Sequence, residues 1–196
     1  MFIQVIKAKT SRAAEVRALS ETWREGEGAG AVGWLGGTFG VTEAGDFLAV
    51  IRFSSREDAM ANSARPETGE FSGKLGALMD SAPEFYDCDD VTTFLAGGSD
   101  DAGFVQVIEG HTDDAGPMKA MAADTGDLEA MRPEIVGGTF ALGADGTFFQ
   151  TIYFTDEASA RQGEGIEPPT EVRDALAAVM AGASFHDLRE PWFESP

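Results

Sequence analysis

The chain repeats itself once. Residues 36–40 read Gly-Gly-Thr-Phe-Gly, and residues 137–141 read Gly-Gly-Thr-Phe-Ala. The echo runs in both directions. Phe104, Val105, Gln106, Val107 and Ile108 match Phe2, Ile3, Gln4, Val5 and Ile6; residues 148–154 match 47–53; Phe185-His186-Asp187 matches Phe85-Tyr86-Asp87. The offset drifts by only about two residues over its whole length, so a complete unit is duplicated. Whatever one copy folds into, the chain must fold into twice.

The periodicity inside each copy sets its elements. Phe2 to Lys9 alternates as a strand, apolar on both faces near its start, which suits a strand covered on both sides. Thr10 or Ser11 is expected to cap a helix whose stripe is Ala13, Val16, Leu19, Ser20 and Trp23. Residues 25–30, rich in Gly and Glu, end it. A strand over 32–42 should bend at Gly36-Gly37, and loop 43–46 makes a hairpin with a strand over 47–53. Ser54 or Ser55 caps a helix carrying Ala59 and Met60 that breaks at Arg65-Pro66. A further helical stripe of Phe71, Leu75, Leu78 and Met79 precedes Pro83 and a strand over 85–91. The order is β-α-β-β-α-β, a ferredoxin-like unit.

The second copy follows the same plan. Thr112 or Asp114 caps a helix with Pro117 in its first turn, Ala144-Asp145-Gly146 forms a hairpin turn, and Thr155 stands in for the serine cap. Pro168-Pro169 aligns near Pro66, and Leu176, Val179 and Met180 repeat Leu75, Leu78 and Met79. The units therefore span 1–96 and 104–196, joined by a Gly- and Asp-rich linker over 97–103. One such unit covers a single face of its sheet with helices, so the other face needs a partner. The expected fold is α+β: two tandem ferredoxin-like units forming a pseudo-two-fold α/β barrel, as a monomer with an internal pseudo-dimer or as a homodimer.

Composition narrows the function classes. A net charge of −20 repels phosphate backbones, so nucleic acid is not an expected partner. No apolar run approaches the roughly 20 residues of a membrane span. The single Cys88 excludes an intramolecular disulfide, and its neighbours Asp87, Asp89 and Asp90 disfavour a thiolate nucleophile. The expectation is a cytoplasmic protein.

The order strand, helix, Gly-rich strand, hairpin, strand, helix, strand, with each unit ending in Phe, Tyr or His, and Asp, resembles the dimeric α/β-barrel superfamily. That superfamily includes antibiotic-biosynthesis monooxygenase-like proteins, haem-degrading monooxygenases and stress-responsive barrel proteins. Its two units usually come from two chains; here both stand in one. In haem-degrading members a first-strand asparagine belongs to a catalytic Asn-Trp-His set. This chain has Gln4 and Gln106 there, and residues 56–62 and 157–162 contain neither Trp nor His, which argues against haem degradation. In cofactor-independent members, aromatic and polar side chains inside the barrel hold a substrate that itself activates oxygen. The resemblance thus implies no cofactor and a small-molecule ligand.

The residues nominated for such a site are His186, Gln106 and Trp34 as catalytic candidates, and Gln4, Tyr86, His111, Arg52 and Tyr153 as ligand-binding candidates. Six of them have a second reading. His111 and His186 are the only histidines, and neither sits at metal-binding spacing; they read as a base or haem ligand, or as a strand-end surface residue and a partner of Asp187. Gln4 and Gln106 read as pocket amides or as ties between the two sheets. Trp34 and Tyr153 read as pocket walls or as core. Lys9 to His111, Tyr86 to His186 and Arg52 to Tyr153 are the divergences between copies, pointing to a pocket in one copy only. The expected function is a small-molecule-binding barrel, with cofactor-independent oxygenation of an aromatic or enolisable substrate as its chemistry. The alternative is a non-catalytic stress-responsive or scaffold protein.

Overall fold

A computed structural model of the chain describes residues 1–23, 26–126, 128–166, 173 and 180–196. Contacts divide it into two compact units, Met1–Asp89 with Pro191–Pro196, and Asp90–Glu190.

The first unit contains β1 (Phe2–Lys9), α1 (Ala13–Ser20), a 3-10 turn over Glu27–Gly30, β2 (Trp34–Val41) and β3 (Asp46–Phe53). Then come α2 (Arg56–Ser63), α3 (Pro66–Gly76) and the start of β4 (Glu84–Leu95). Its sheet runs β4-β1-β3-β2, antiparallel throughout, the ferredoxin-like order, with β9 (Trp192–Glu194) added beside β2. Register places Gln4 opposite Ile51 on one side and Asp87 on the other. Alternation then puts Phe2, Gln4, Ile6, Ala49, Ile51 and Phe53 on one face, and Ile3, Val5, Leu48, Val50, Arg52 and Cys88 on the other. Both faces are buried at their centres, as the apolar start of β1 predicts.

The second unit repeats the plan with β5 (Phe104–His111), α4 (Gly116–Ala123), α5 (Leu128–Met131), β6 (Ile135–Gly143), β7 (Thr147–Phe154), α6 (Glu157–Glu164) and β8 (Ser184–Leu188). Its strands follow the same order, β8-β5-β7-β6, and Gln106 lies opposite Ile152 and Asp187. Phe104, Ile108, Phe140, Phe148 and Phe154 form its core, joined by Phe94 from the end of β4. Each such buried side chain contributes roughly 1.5–3 kcal/mol relative to exposure.

The paired glycines do structural work in both copies. A register shift between Trp34 and Gly36 recurs between Ile135 and Gly137, and Gly36 takes φ +122°, a conformation that side-chain-bearing residues avoid. A Cβ on Gly37 would lie 2.5 Å from the Phe39 ring, so the glycine lets that ring lie back across β2.

Several local expectations change. Neither Thr10 nor Ser11 caps α1. Its N-cap is Arg12, a donor-only side chain that makes no cap bond, while Thr10 Oγ1 donates to Leu78 O at 2.8 Å and accepts from Arg12 N at 3.0 Å. In α4 the N-cap is Ala115; Asp114 accepts from Gly116 N one residue early, and Thr112 bonds Asp114. Thr155 yields the α6 cap to Asp156, the residue equivalent to Ser55, whose carboxylate accepts from Ser159 N at 2.8 Å. Ser55 caps α2 as expected. The β4 strand runs four residues past 91, and by contacts residues 90–96 group with the second unit and 191–196 with the first. The expectations for Glu25, Pro168-Pro169, Leu176 and Val179 lie outside the described residues.

Candidate functional site

The first unit holds a cavity of about 230 Å³ between its sheet and its helices. The floor is the helix-side face: Gln4 and Ile6 from β1, Trp34 and Phe39 from β2, Ala49, Ile51 and Phe53 from β3. Asn62 and Ser63 of α2 and Thr68, Phe71, Ser72 and Leu75 of α3 form the roof. Trp23 leans on Phe71, ring centroids 4.8 Å apart, and Phe85 stands exposed at the rim. The wall is mainly aromatic, which suits a flat apolar ligand with a few polar fixing points. The roof helix α3 begins at Pro66 and buries none of its residues fully.

Among the described residues, every polar group in the lining is neutral. Ser20 donates to Val16 O and Ser63 to Ala59 O, each at 2.9 Å. Asn62, buried, accepts on Oδ1 from Arg65 Nη1 at 3.2 Å, which leaves its amide hydrogens to serve the cavity. The Thr68 hydroxyl is buried and finds no hydrogen-bond partner. An orphaned buried hydroxyl costs about 1–3 kcal/mol, so it marks a place where an incoming group can be satisfied.

Gln4 is held from behind. Its Nε2 donates to Asp87 Oδ1 at 2.9 Å, and Arg56 of α2 donates to Asp87 Oδ2 at 3.0 Å. Arg56 also grips Asp89 through two bonds, at 2.8 and 2.6 Å, and lies 5.0 Å over the Phe2 ring. Hydrogen bonding to Asp89 raises the Arg56 pKa, and the same bond holds the Asp89 carboxyl below the usual carboxylate range. The second unit rebuilds the device: Gln106 Nε2 donates to Asp187 Oδ1 at 3.0 Å, Arg161 bonds Asp187 Oδ2, and Arg161 lies 5.2 Å over Phe104. The glutamines therefore do not tie two sheets together. Each ties neighbouring strands of its own sheet and, through Asp and Arg, a helix onto that sheet.

The nominated residues separate accordingly. Trp34 and Gln4 line the cavity. Gln106 occupies the equivalent helix-side face of the second unit. Arg52 and Tyr86 lie on the opposite face of the first sheet: Arg52 is buried and donates to Thr38 Oγ1 at 3.1 Å, and Tyr86 donates to Glu84 at 2.5 Å beneath Lys7. Tyr153 and His186 share the corresponding face of the second unit. Tyr153 is fully buried, and His186 Nε2 lies 3.1 Å from Glu109 Oε2, not against Asp187. His111 is exposed at the end of β5, 3.7 Å from Asp113.

Sequence reasoning passed over Asn62, Thr68, Phe71 and Phe85. The signal available was a difference between copies: Asn62 of α2 corresponds to Gly163 of α6. A Cβ on Gly163 would collide with the paired side chains of Arg132 and Glu134, so that ground is occupied in the second unit. Among the described residues, no group of three or more His, Cys, Asp or Glu is placed to hold a metal ion, and no helix is long and apolar enough to cross a membrane.

No family model and no curated protein matches the chain. Solved structures do. A "putative monooxygenase" from Lactobacillus acidophilus NCFM superposes with TM-score 0.70 at 12% identity, over 99% of each chain. An anthrone oxidase-like protein superposes with TM-score 0.69 at 13% identity, over 99% of this chain and 93% of that one. A ferredoxin fold protein related to antibiotic biosynthesis monooxygenases, from Listeria monocytogenes, gives TM-score 0.53 at 10% identity, over 100% and 95%. At these identities the likeness concerns the fold. The chain is a tandem of two ferredoxin-like units with the fold of antibiotic-biosynthesis-monooxygenase-like proteins.

Proposed function

We propose that the protein binds a planar aromatic small molecule in the first unit's cavity and oxygenates it without a cofactor, the substrate's own enolate or phenolate reacting with oxygen. The cavity carries this reading: aromatic walls from Trp23, Trp34, Phe39, Phe53 and Phe71 surround the carboxamides of Gln4 and Asn62. The oxygenation step draws support from the monooxygenase-named proteins that share the fold, and the anthrone oxidase-like neighbour suggests a tricyclic ketone with an acidic ring methylene as first substrate. Such a reaction balances as CH2 plus O2 giving C=O plus water. The neutral amides would hold the ketone oxygen where negative charge develops on loss of the methylene proton.

One observation favours the alternative of binding without turnover. Among the described residues the lining offers no carboxylate, imidazole or amine to take that proton. Oxygen uptake with anthrone, measured above the uncatalysed rate and compared with Trp34→Ala, separates the two. Enzyme-dependent uptake that falls in the variant establishes oxygenation. Tryptophan quenching by anthrone with no uptake leaves a binding protein.

A further inference from the structure

The chemistry of the lining goes beyond "aromatic" and bears on ligand charge. Resting on the cavity being the binding site, we propose that it selects an uncharged ring system bearing an oxygen, which Thr68 and Asn62 read, and that it rejects charged congeners of the same shape. Three observations converge. Among the described residues, the lining contains no Lys, Arg, His, Asp or Glu. An anion entering would lose its water with no counter-charge in the lining itself, Arg65 being spent on Asn62 from behind, and against a protein of net charge −20. A cation would gain only the faces of Trp and Phe, with no carboxylate beside them.

Two of the polar lining groups, Asn62 and Thr68, lie close in the chain. Asn62 closes α2 and Thr68 opens α3, on either side of the two-residue turn at Ala64 and Arg65. The Asn62 oxygen is occupied by Arg65, so this side chain presents donors. The Thr68 hydroxyl has no partner and rotates to donate or accept. A ring hydroxyl or carbonyl within reach of both would satisfy both. At about 230 Å³ the space lies below the roughly 300 Å³ where drug-sized sites begin, which matches a ligand of two or three rings.

The test is calorimetric titration of the full chain with four naphthalene probes: 2-naphthol, naphthalene, naphthalene-2-sulfonate and 2-naphthyltrimethylammonium. The expected order is 2-naphthol first, with naphthalene weaker by about three- to tenfold and both ions weaker than naphthol by more than about tenfold. Thr68→Val and Asn62→Leu should each abolish the preference for 2-naphthol over naphthalene, while Thr68→Ser keeps it. A variant that unfolds is visible in its melting curve, and the probe ranking on the parent protein stands without it. Equal or tighter binding of either ion overturns the charge selection and leaves the site standing. Equal affinity for naphthol and naphthalene overturns the role of Thr68 and Asn62. If no probe binds, the cavity is not a binding site and both proposals fall.

Discussion

Thr68→Val should make the ligand-free protein more stable. The parent hydroxyl is buried at the cavity wall without a partner. Leaving such a group unsatisfied costs about 1–3 kcal/mol. A methyl in its place removes that cost and adds favourable apolar burial. Threonine and valine have nearly equal helix propensity, so the backbone of α3 contributes little to the difference. A stabilisation of about 1.5 kcal/mol follows, which in a chain of this length raises the melting temperature by about 3–6 °C. Differential scanning calorimetry at neutral pH reads it directly, with Thr68→Ser as the control that keeps the hydroxyl. An unchanged or lowered melting temperature for Thr68→Val would show that the hydroxyl already has a partner. The oxygen-reading role would then lose its footing.

Ala49→Leu, on the cavity floor, should abolish probe binding while costing little stability, because the added carbons enter existing space; calorimetry and a thermal melt check both halves. Gln106→Leu should lower stability by about 1 kcal/mol through loss of the bond to Asp187 yet leave probe binding unchanged, whereas Gln4→Leu should weaken binding. Phe104→Ala, fully buried in the second unit's core, should cost about 3–5 kcal/mol by urea unfolding. The carboxyls of Asp58, held by Ser54 and Ser55, and of Asp89, held by Arg56, titrate below their ordinary range. Their stabilisation is therefore complete above about pH 4 and is lost as pH falls further, through their folded-state pKa values. Melts across that window should show a shallower acid loss for Asp58→Asn than for the parent.

The duplication, the strand order and the glycine bulge were legible in the chain because each rests on short-range pattern: alternation along β1, an offset near 100, paired glycines before Thr38 and Thr139. Helix caps were less legible. Thr10 and Asp156 differ in what tertiary partner competes for the oxygen, Leu78 O claiming the first. The cavity was hidden for another reason. A gap between helix and sheet is a shortfall of side-chain volume, and no residue type marks it. Rarity drew attention to the two histidines, yet His111 is a surface residue and His186 pairs with Glu109. Gln4 and Trp34, which line the cavity, stand out in the sequence as a polar amide among apolar neighbours and a tryptophan before a bend. Asn62 and Thr68, on exposed-looking polar helices, do not.

The strand β9 gives the molecule an order of assembly. Trp192 stacks near Phe39 and Phe47, and residues 191–196 count with the first unit although the second unit's residues precede them in the chain. During synthesis the first unit therefore waits, with the edge of β2 bare, while about 100 further residues are made, a delay of roughly 5–20 s at ordinary elongation rates. Phe39, a wall of the cavity, stacks on Trp192, so its packing is complete only once β9 is in place.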